Sequence, residues 1–281
     1  MKHSSILLTG STGFIGKNIL PILSQRYSVL APSRLELDLS DDSNVRDYLA
    51  RHQADYLVHC AILDPAKDAD AGKGIYDDTV SVFKRLTTAP FRKIIYVGSG
   101  AEYDKSGDII LAQEDNLESA NPTDEYGRAK RDMTLLSRAS ANIYNARIFG
   151  CYGPEEPERR FIRHAIDCCL RHEPISIRQD CRFSYVFVQD LGQAIIRMLD
   201  GQPRHHDYNL CGGRPWLLSE LANIVKHLMK SDVPVQVGTP GLASEYTGDD
   251  TRFVSEFHGF KYTPIEDGIM AEINWMKGFP L

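Results

Sequence analysis

No apolar run in this sequence approaches the roughly 20 residues that a membrane helix needs. The first five residues lead straight into a short apolar stretch that a glycine loop interrupts, which leaves no signal h-region. The expected location is therefore the cytoplasm, with no membrane partner. A Lys/Arg stripe is also missing: the net charge is a modest −6 and the basic residues are scattered, so no nucleic acid is expected as partner. The six cysteines (Cys60, Cys151, Cys168, Cys169, Cys181 and Cys211) form no CxxC pair, and no Cys/His spacing suits a tetrahedral metal site. Reduced thiols, several of them buried, and no metal are the expectation. The chain also has no internal repeat and no low-complexity tract.

With 281 residues, 42% of them hydrophobic and 25% charged, there is ample material for one large domain, or one plus a small lobe. Short apolar runs at 6–9, 28–31, 56–61, 93–98 and 143–149 alternate with amphipathic stretches at 15–25, 45–52, 76–88 and 126–140. This rhythm predicts an α/β fold with a doubly wound parallel sheet, and the continuous apolar character of the runs predicts helices on both faces. After Gly153-Pro154 the rhythm breaks into single helices at 161–171 and 218–230. The expected division is a dinucleotide-binding domain at 1–150 and a substrate lobe over most of 151–281. About 184–200 should return to the first domain with a strand and a helix.

The first apolar run ends in TGSTGFIG at residues 9–16, and a helix-like stretch follows. Gly10, Gly13 and Gly16, three apart at a strand-to-helix turn, allow a tight turn, a close approach to a pyrophosphate and close packing of helix on strand. The helix N-terminus then faces the anion with unpaired N–H groups. An ordinary tight turn would explain a lone glycine pattern; its place at the first βα junction of a long series favours the dinucleotide. The second run ends at Ala31-Pro32-Ser33-Arg34, without the acid that usually meets an NAD ribose. Arg34 offers a charged fork for a 2′-phosphate, and its plainer reading is a solvated surface arginine. Asp38 suits either an adenine contact or the capping of a turn.

Tyr126 and Lys130 stand four apart at the start of a predicted helix, on one face. A phenol of pKa about 10 is a poor base, and a nearby ammonium is expected to lower that value. The run at 93–98 leads into Gly98-Ser99-Gly100, at the sheet edge where open α/β folds bind ligands, so Ser99 can orient the same substrate oxygen. A helix-surface pair is the plainer explanation of a YxxxK match; the Ser99 context argues for catalysis by Ser99, Tyr126 and Lys130.

TGSTGFIG, VGSGAEY at 97–103, YGRAK at 126–130, RIFGCYGP at 147–154, RFSYVFVQD at 182–190 and YNLCGG at 208–213 together resemble the extended short-chain dehydrogenase/reductase family. The resemblance implies a Rossmann domain, a Ser/Tyr/Lys site and a lobe that holds a nucleoside-diphosphate sugar. VLAPSRLELDLSD at 29–41 is similar to the nucleotide-sugar 4-ketoreductase branch, which includes GDP-fucose synthase and dTDP-4-dehydrorhamnose reductase. NADP(H) is thus expected rather than NAD(H). It would rest against Gly10, Thr12, Gly13, Phe14, Ile15, Gly16, Ser33, Arg34, Asp38, Leu39, Cys60 and Ala61, with Tyr126 and Lys130. Arg182 is implied at the diphosphate, with a surface ion pair as its plainer role, and Ala101 and Arg160 are implied at the sugar. A homodimer is common in the resembling family.

The departures from the family pattern matter as much. Gly150 stands where an asparagine is frequent, and Asp77 and Asp78 lie in the helix where another asparagine is usual. Relatives that eliminate water carry an Asp-Glu pair where Gly100 and Ala101 stand. Relatives that epimerise carry a cysteine at Ala101 and a histidine near Arg160. Those groups are missing, which favours a simple NADPH-dependent reduction of a nucleoside-diphosphate-4-keto-6-deoxyhexose. A 4-epimerase retaining NAD and a non-catalytic NADP(H)-binding regulator are the alternatives. Among lesser candidates, His205-His206 reads as a solvated pair, Lys73-Gly74 as part of a mobile loop near the nicotinamide, and Trp216 and Trp275 as packing residues.

Overall fold

The computed structural model describes residues 4–62 and 74–279. Lys73 and the rest of its proposed loop before Gly74 lie outside them. β1 (Ser5–Thr9), α1 (Phe14–Ser24), β2 (Ser28–Leu30), α2 (Asp42–Arg51), β3 (Tyr56–His59), α3 (Ile75–Leu86) and β4 (Lys93–Ser99) alternate as the hydrophobic rhythm predicts. β5 (Ile109–Ala112), α4 (Glu125–Arg138) and β6 (Ile143–Ile148) follow. Then come β7 (Gly150–Tyr152), α5 (Phe161–Arg171), β8 (Ile175–Asp180), β9 (Arg182–Phe183), β10 (Tyr185–Phe187), α6 (Val188–Asp200) and β11 (Asp207–Leu210). The chain closes with β12 (Trp216–Leu217), α7 (Leu218–Met229), β13 (Val235–Leu242), β14 (Tyr246–Gly248), α8 (Thr251–Glu256) and α9 (Ile265–Met276).

Among the described residues six strands form the main sheet in the order β11-β6-β4-β3-β1-β2, and every neighbouring pair is parallel. Successive side chains of a strand point to opposite faces. Ile6 and Leu8 of β1 accordingly join Val58, Ile95, Ile19 and Leu191 in one core. Leu7 joins Leu57, Ile94, Phe83 and Met133 in the other. Both faces being covered explains why the strands read as unbroken apolar runs. The strand order reverses beside β1, with β2 on one side and β3 on the other, and a doubly wound sheet opens its ligand crevice at such a reversal.

The second half corrects the expected return. Tyr185–Phe187 pairs with Gly150–Tyr152 in a separate two-stranded ribbon, and the strand that completes the main sheet is Asp207–Leu210, beside β6. The helix that follows Tyr185 does pack on the main domain: Gly192 of α6 lies against Ile22 and Ile19 of α1, where a Cβ would come within 2.9 Å. Three-residue strands carry too little period to be told apart by pattern. The lobe builds its own sheet, β12-β9-β14-β5, into which the early segment Ile109–Ala112 is drawn, and α5, α7 and α9 pack together beside it.

Candidate active site

The glycine loop has two kinds of glycine. Gly10 lies in the left-handed region (φ +75°), and a Cβ there would sit 2.5 Å from the Ala61 nitrogen; one on Gly16 would sit 2.1 Å from the Gly10 carbonyl oxygen. Both are held by backbone against backbone. Gly13 is different, because its Cβ would meet only that carbonyl at 3.4 Å, on the open side of the loop. It caps α1 without a side-chain hydrogen bond, and no acid stands in the first turn. The result is a cradle with the positive end of a helix behind it, which fits a dinucleotide pyrophosphate. Thr12 is exposed, while Phe14 and Ile15 are half-buried against the core. Ser11 donates to the Pro32 carbonyl at 3.1 Å and ties the loop to the end of β2. Cys60 and Ala61 close the cradle from β3.

Beyond β2, the Ser33 N–H and hydroxyl both donate to the Glu36 carboxylate, at 2.8 and 2.9 Å, and these bonds hold the Glu36 carboxyl below its usual range. This carboxylate stands two residues after the exposed Arg34. The Ser-x-x-Glu spacing is the sequence signal for it, one that pattern reading passes over. Asp38 caps the turn, accepting from the N–H and hydroxyl of Ser40 at 3.0 and 2.6 Å. Leu39 offers its carbonyl to Arg85 at 2.7 Å.

Ser99, Tyr126 and Lys130 converge at the carboxyl edge of the sheet. Ser99 is the last residue of β4; its Oγ accepts from the Ala101 N–H at 3.2 Å, and its own N–H donates to Glu102 at 2.9 Å. Asp124 caps α4 by accepting from the Gly127 N–H at 2.8 Å. A Cβ on Gly127 would lie 2.4 Å from the Ala101 carbonyl, so glycine is what lets the first turn of α4 press onto the serine loop. Lys130 is buried, donates from Nζ to the Val97 carbonyl at 3.0 Å, and lies 5.8 Å from the centre of the Tyr126 ring. Burial lowers its ammonium to about 8, against the pull of Glu102 and Cys60.

The Tyr126 phenol is shifted up, not down as expected. Burial is the largest cause; Ser99 by hydrogen bond and Arg160 by charge pull the other way, while Glu102 and Asp124 push up. Lys130, with its Nζ 5.8 Å from the centre of the ring, does not offset the burial. At the neighbouring strand end His59 bonds Thr9 at 2.7 Å and is held neutral by burial, down to about 3, with the Lys130 charge adding to the effect. Burial lifts the Cys60 thiol to about 12.

Arg160 stands at the start of α5, and its charge reaches Tyr126. Ala101 is buried beside Ser99. Arg182, on β9, is exposed, and among the described residues no hydrogen bond or ion pair joins it to the trio. The missing asparagine has a steric cause: a Cβ on Gly150 would lie 2.9 Å from the Ser184 carbonyl and from the Tyr185 ring. Asp77 and Asp78 occupy the first turn of α3, where acids suit the helix dipole. His206 is not a solvated residue; it stacks on Tyr144 at 5.3 Å and bonds the Ile143 carbonyl at 2.9 Å. Among the described residues no cluster of His, Cys, Asp or Glu could hold a metal, and the cysteines are free. Trp216 and Trp275 are half-buried under the guanidinium groups of Arg214 and Arg163. A cavity of about 430 Å³ between Tyr152, Asp190, Trp216 and Tyr262 includes none of the trio.

Two features of the site escape the sequence reading. Arg147 is fully buried behind the serine loop and donates to Glu102 at 2.7 Å, to Asp207 at 2.8 Å and to Asn209 at 2.9 Å. Tyr246, on β14, brings its hydroxyl to the space beside Gly100. Only the tertiary fold reveals either one.

The NAD dependent epimerase/dehydratase family matches residues 6–211. GDP-L-colitose synthase of Yersinia pseudotuberculosis is 32% identical over an alignment that covers 96% of this chain and 92% of that one. The fold superposes on a GDP-L-fucose synthetase of Naegleria fowleri bound to NADP with a TM-score of 0.85, at 16% identity, over 99% of this chain and 94% of that one. It superposes on a GDP-mannoheptose C4 reductase of Campylobacter jejuni with NADP bound at a TM-score of 0.82 and 17% identity, over 99% of each chain. At those identities the two structures speak for the fold; the sequence matches carry the kinship. A glycine cradle at the sheet's switch point, a Ser/Tyr/Lys cluster on its carboxyl edge and a family match over most of its length make this chain a member of the NAD dependent epimerase/dehydratase family, an NAD(P)-dependent oxidoreductase of the extended short-chain type.

Proposed function

We propose that the enzyme reduces the 4-keto group of a nucleoside-diphosphate-4-keto-6-deoxyhexose at the expense of NADPH. The observation that carries this reading is the composition of the cluster. Ser99, Tyr126 and Lys130 come together, while the flanking Gly100 and Ala101 carry no acid or base with which to remove a ring proton or expel water. NADPH, when bound, supplies the hydride. Tyr126 gives the proton to the ketone oxygen, and Ser99 orients that oxygen by donating its hydroxyl proton. Lys130, near pKa 8, remains mostly an ammonium at neutral pH and places positive charge beneath the phenol ring. Arg34 would receive the 2′-phosphate, and Arg160 and Arg182 would receive the substrate. The relatives named above carry GDP-linked sugars in their names, so GDP is the first nucleotide to try.

The test is an assay of nucleoside-diphosphate-4-keto-6-deoxyhexoses, GDP-linked first, with NADPH and NADH, and with the product analysed by NMR. One NADPH should be oxidised per sugar reduced, with the other ring carbons unchanged. Inversion at C3 or C5, or C4 interconversion without net NADPH oxidation, would overturn the reading and favour the epimerase alternative. A cytoplasmic homodimer belongs to the same reading, and light scattering on the purified chain checks its size.

A further inference from the structure

Glu102 is fully buried beneath the serine loop, and its two oxygens collect hydrogen bonds from β4, β6 and α4. From β4 the Ser99 N–H donates to Oε1 at 2.9 Å. From β6 the Arg147 Nε donates to Oε2 at 2.7 Å, and Asn145 Nδ2 reaches the two oxygens at 3.0 and 3.2 Å. From α4 the Thr134 hydroxyl donates to Oε2 at 2.7 Å. That hydroxyl has one proton to give, and the charged oxygen is its nearer acceptor, since the Lys130 carbonyl lies at 3.3 Å. The Thr134 oxygen then accepts from Asn145 Nδ2 at 2.7 Å and from the Tyr96 hydroxyl at 2.9 Å. Among the described residues every partner of Glu102 gives a hydrogen, so the group acts as a carboxylate with both oxygens taken. Gly98 makes this approach possible, because a Cβ there would stand 2.5 Å from Glu102.

We propose that Glu102 is a positioning residue, which fastens the Ser99 backbone to the face of α4 that carries Tyr126 and Lys130. Thr134 stands four residues after Lys130 and eight after Tyr126, hence on that same face. The link from Ser99 through Glu102 to Thr134 therefore sets the spacing between the orienting hydroxyl and the phenol. Its catalytic meaning rests on the reductase reading, in which Ser99 and Tyr126 must meet one oxygen. A misplacement of about 1 Å between such groups can cost about 100-fold in rate. Arg147 holds the far side of the carboxylate and is itself tied to Asp207, so the charge sits in a fixed frame. The charge also faces the reacting groups: it favours the ammonium of Lys130 and disfavours a phenolate at Tyr126.

Variants of the full-length chain test this. Thr134→Val removes the hydroxyl link and should lower kcat about 10-fold with the sugar KM little changed, while Thr134→Ser, which keeps the link, should restore it. Glu102→Gln should lower kcat by about 100-fold, because its amide would turn an N–H against Arg147 or Ser99. It should also move the alkaline limb of kcat/KM to lower pH, since Lys130 and Tyr126 each give up a proton more readily without the buried negative charge. His59 and Cys60 beside Lys130, and Asp124, Arg160 and Tyr246 beside Tyr126, are the same in every variant. In Thr134→Val the carboxylate stays, so the limb should stay too. Equal kcat in the Val and Ser variants, or an unmoved limb in Glu102→Gln, overturns the proposal. If Glu102→Gln does not fold, the Thr134 pair decides alone. A last measurement needs no substrate: the Ser99 amide should exchange its hydrogen faster in Thr134→Val than in Thr134→Ser, and equal rates overturn the assignment. If no sugar nucleotide consumes NADPH with the wild-type chain, the reductase reading fails while that comparison still decides the role of Glu102.

Discussion

In the proposed reaction a phenol, an ammonium and a hydroxyl make up the reacting set, and the phenol is the one whose loss is simplest to predict. Tyr126→Phe removes the transferable proton but leaves the ring and the cradle in place. Its kcat should fall by about 10²–10⁴ with the dissociation constant for NADPH nearly unchanged, as stopped-flow turnover and fluorescence titration would show. Near-normal turnover would mean that another group delivers the proton. Under the proposed use of NADPH, cofactor preference would turn on two neighbouring charges of opposite sign. Arg34→Ala should raise the KM for NADPH far more than that for NADH, since only NADPH loses a charge-assisted pair of about 1.5–3 kcal/mol. Glu36→Gln should do the reverse, lowering the KM for NADPH several-fold, because a 2′-phosphate near Ser33 would no longer face a carboxylate. Equal responses to both cofactors in these two variants would remove the 2′-phosphate from this corner. The Tyr126–Lys130 spacing was legible because a helix turns it into proximity; the upward shift of the phenol was not, since burial is a property of everything packed around it.

Helices and strands position these residues through close backbone contacts, so glycine is the sensitive residue type at this scale. β4 delivers Ser99, and one residue before it a Cβ on Gly98 would lie 2.0 Å from the Asn145 side chain and 2.5 Å from Glu102. Gly98→Ala should therefore cost about 1–3 kcal/mol in urea denaturation and displace Ser99 enough to lower kcat. Gly13→Ala is the informative contrast. Its Cβ has room, so stability should hold while NADPH binding weakens, because the methyl group fills the cradle. Loss of stability without loss of binding would contradict the cradle. Elements with several turns or both faces buried, such as α1, α4 and β1, were plain in the hydrophobic period. Short strands of the lobe were not: Ile109–Ala112 pairs with Tyr246–Gly248, which pairs in turn with Phe183 of β9.

Across the whole molecule, buried charge connects parts far apart in sequence. Arg147 on β6 joins Glu102 behind the serine loop to Asp207 on β11, and Arg138 and Arg252 add bonds or charge at Asp207. Arg147→Met would leave two carboxylates buried without their main partner, at a cost of about 3–5 kcal/mol in equilibrium denaturation. In the lobe, Glu156 and Glu272 face each other, both buried. Burial is the main cause that lifts them, to about 8 and about 10, with Arg160 opposing at Glu156 and the Glu156 charge adding at Glu272. Their folded pKa values lie above the unfolded value of about 4.3, so the native state holds the extra protons. Stability is fully present below that value and is lost as pH rises through about 8 and about 10. Glu272→Gln should flatten the fall of the melting temperature between about pH 6 and 9, and an unchanged slope would show that the pair does not titrate in this range.

The sequence by itself determined the parallel sheet and the glycine loop and brought Tyr126 and Lys130 onto one helix face, because each is written in local spacing: a period of two or 3.6, glycines three apart, a Tyr-to-Lys step of one helical turn. Tertiary structure alone decided which strand completes the sheet, which carboxylates share the buried Arg147, and that Tyr246 fills the space Gly100 leaves beside Ser99. These are contacts between residues with no regular separation along the chain. They form only when packing excludes water and brings distant segments to one place, so no local pattern can encode them.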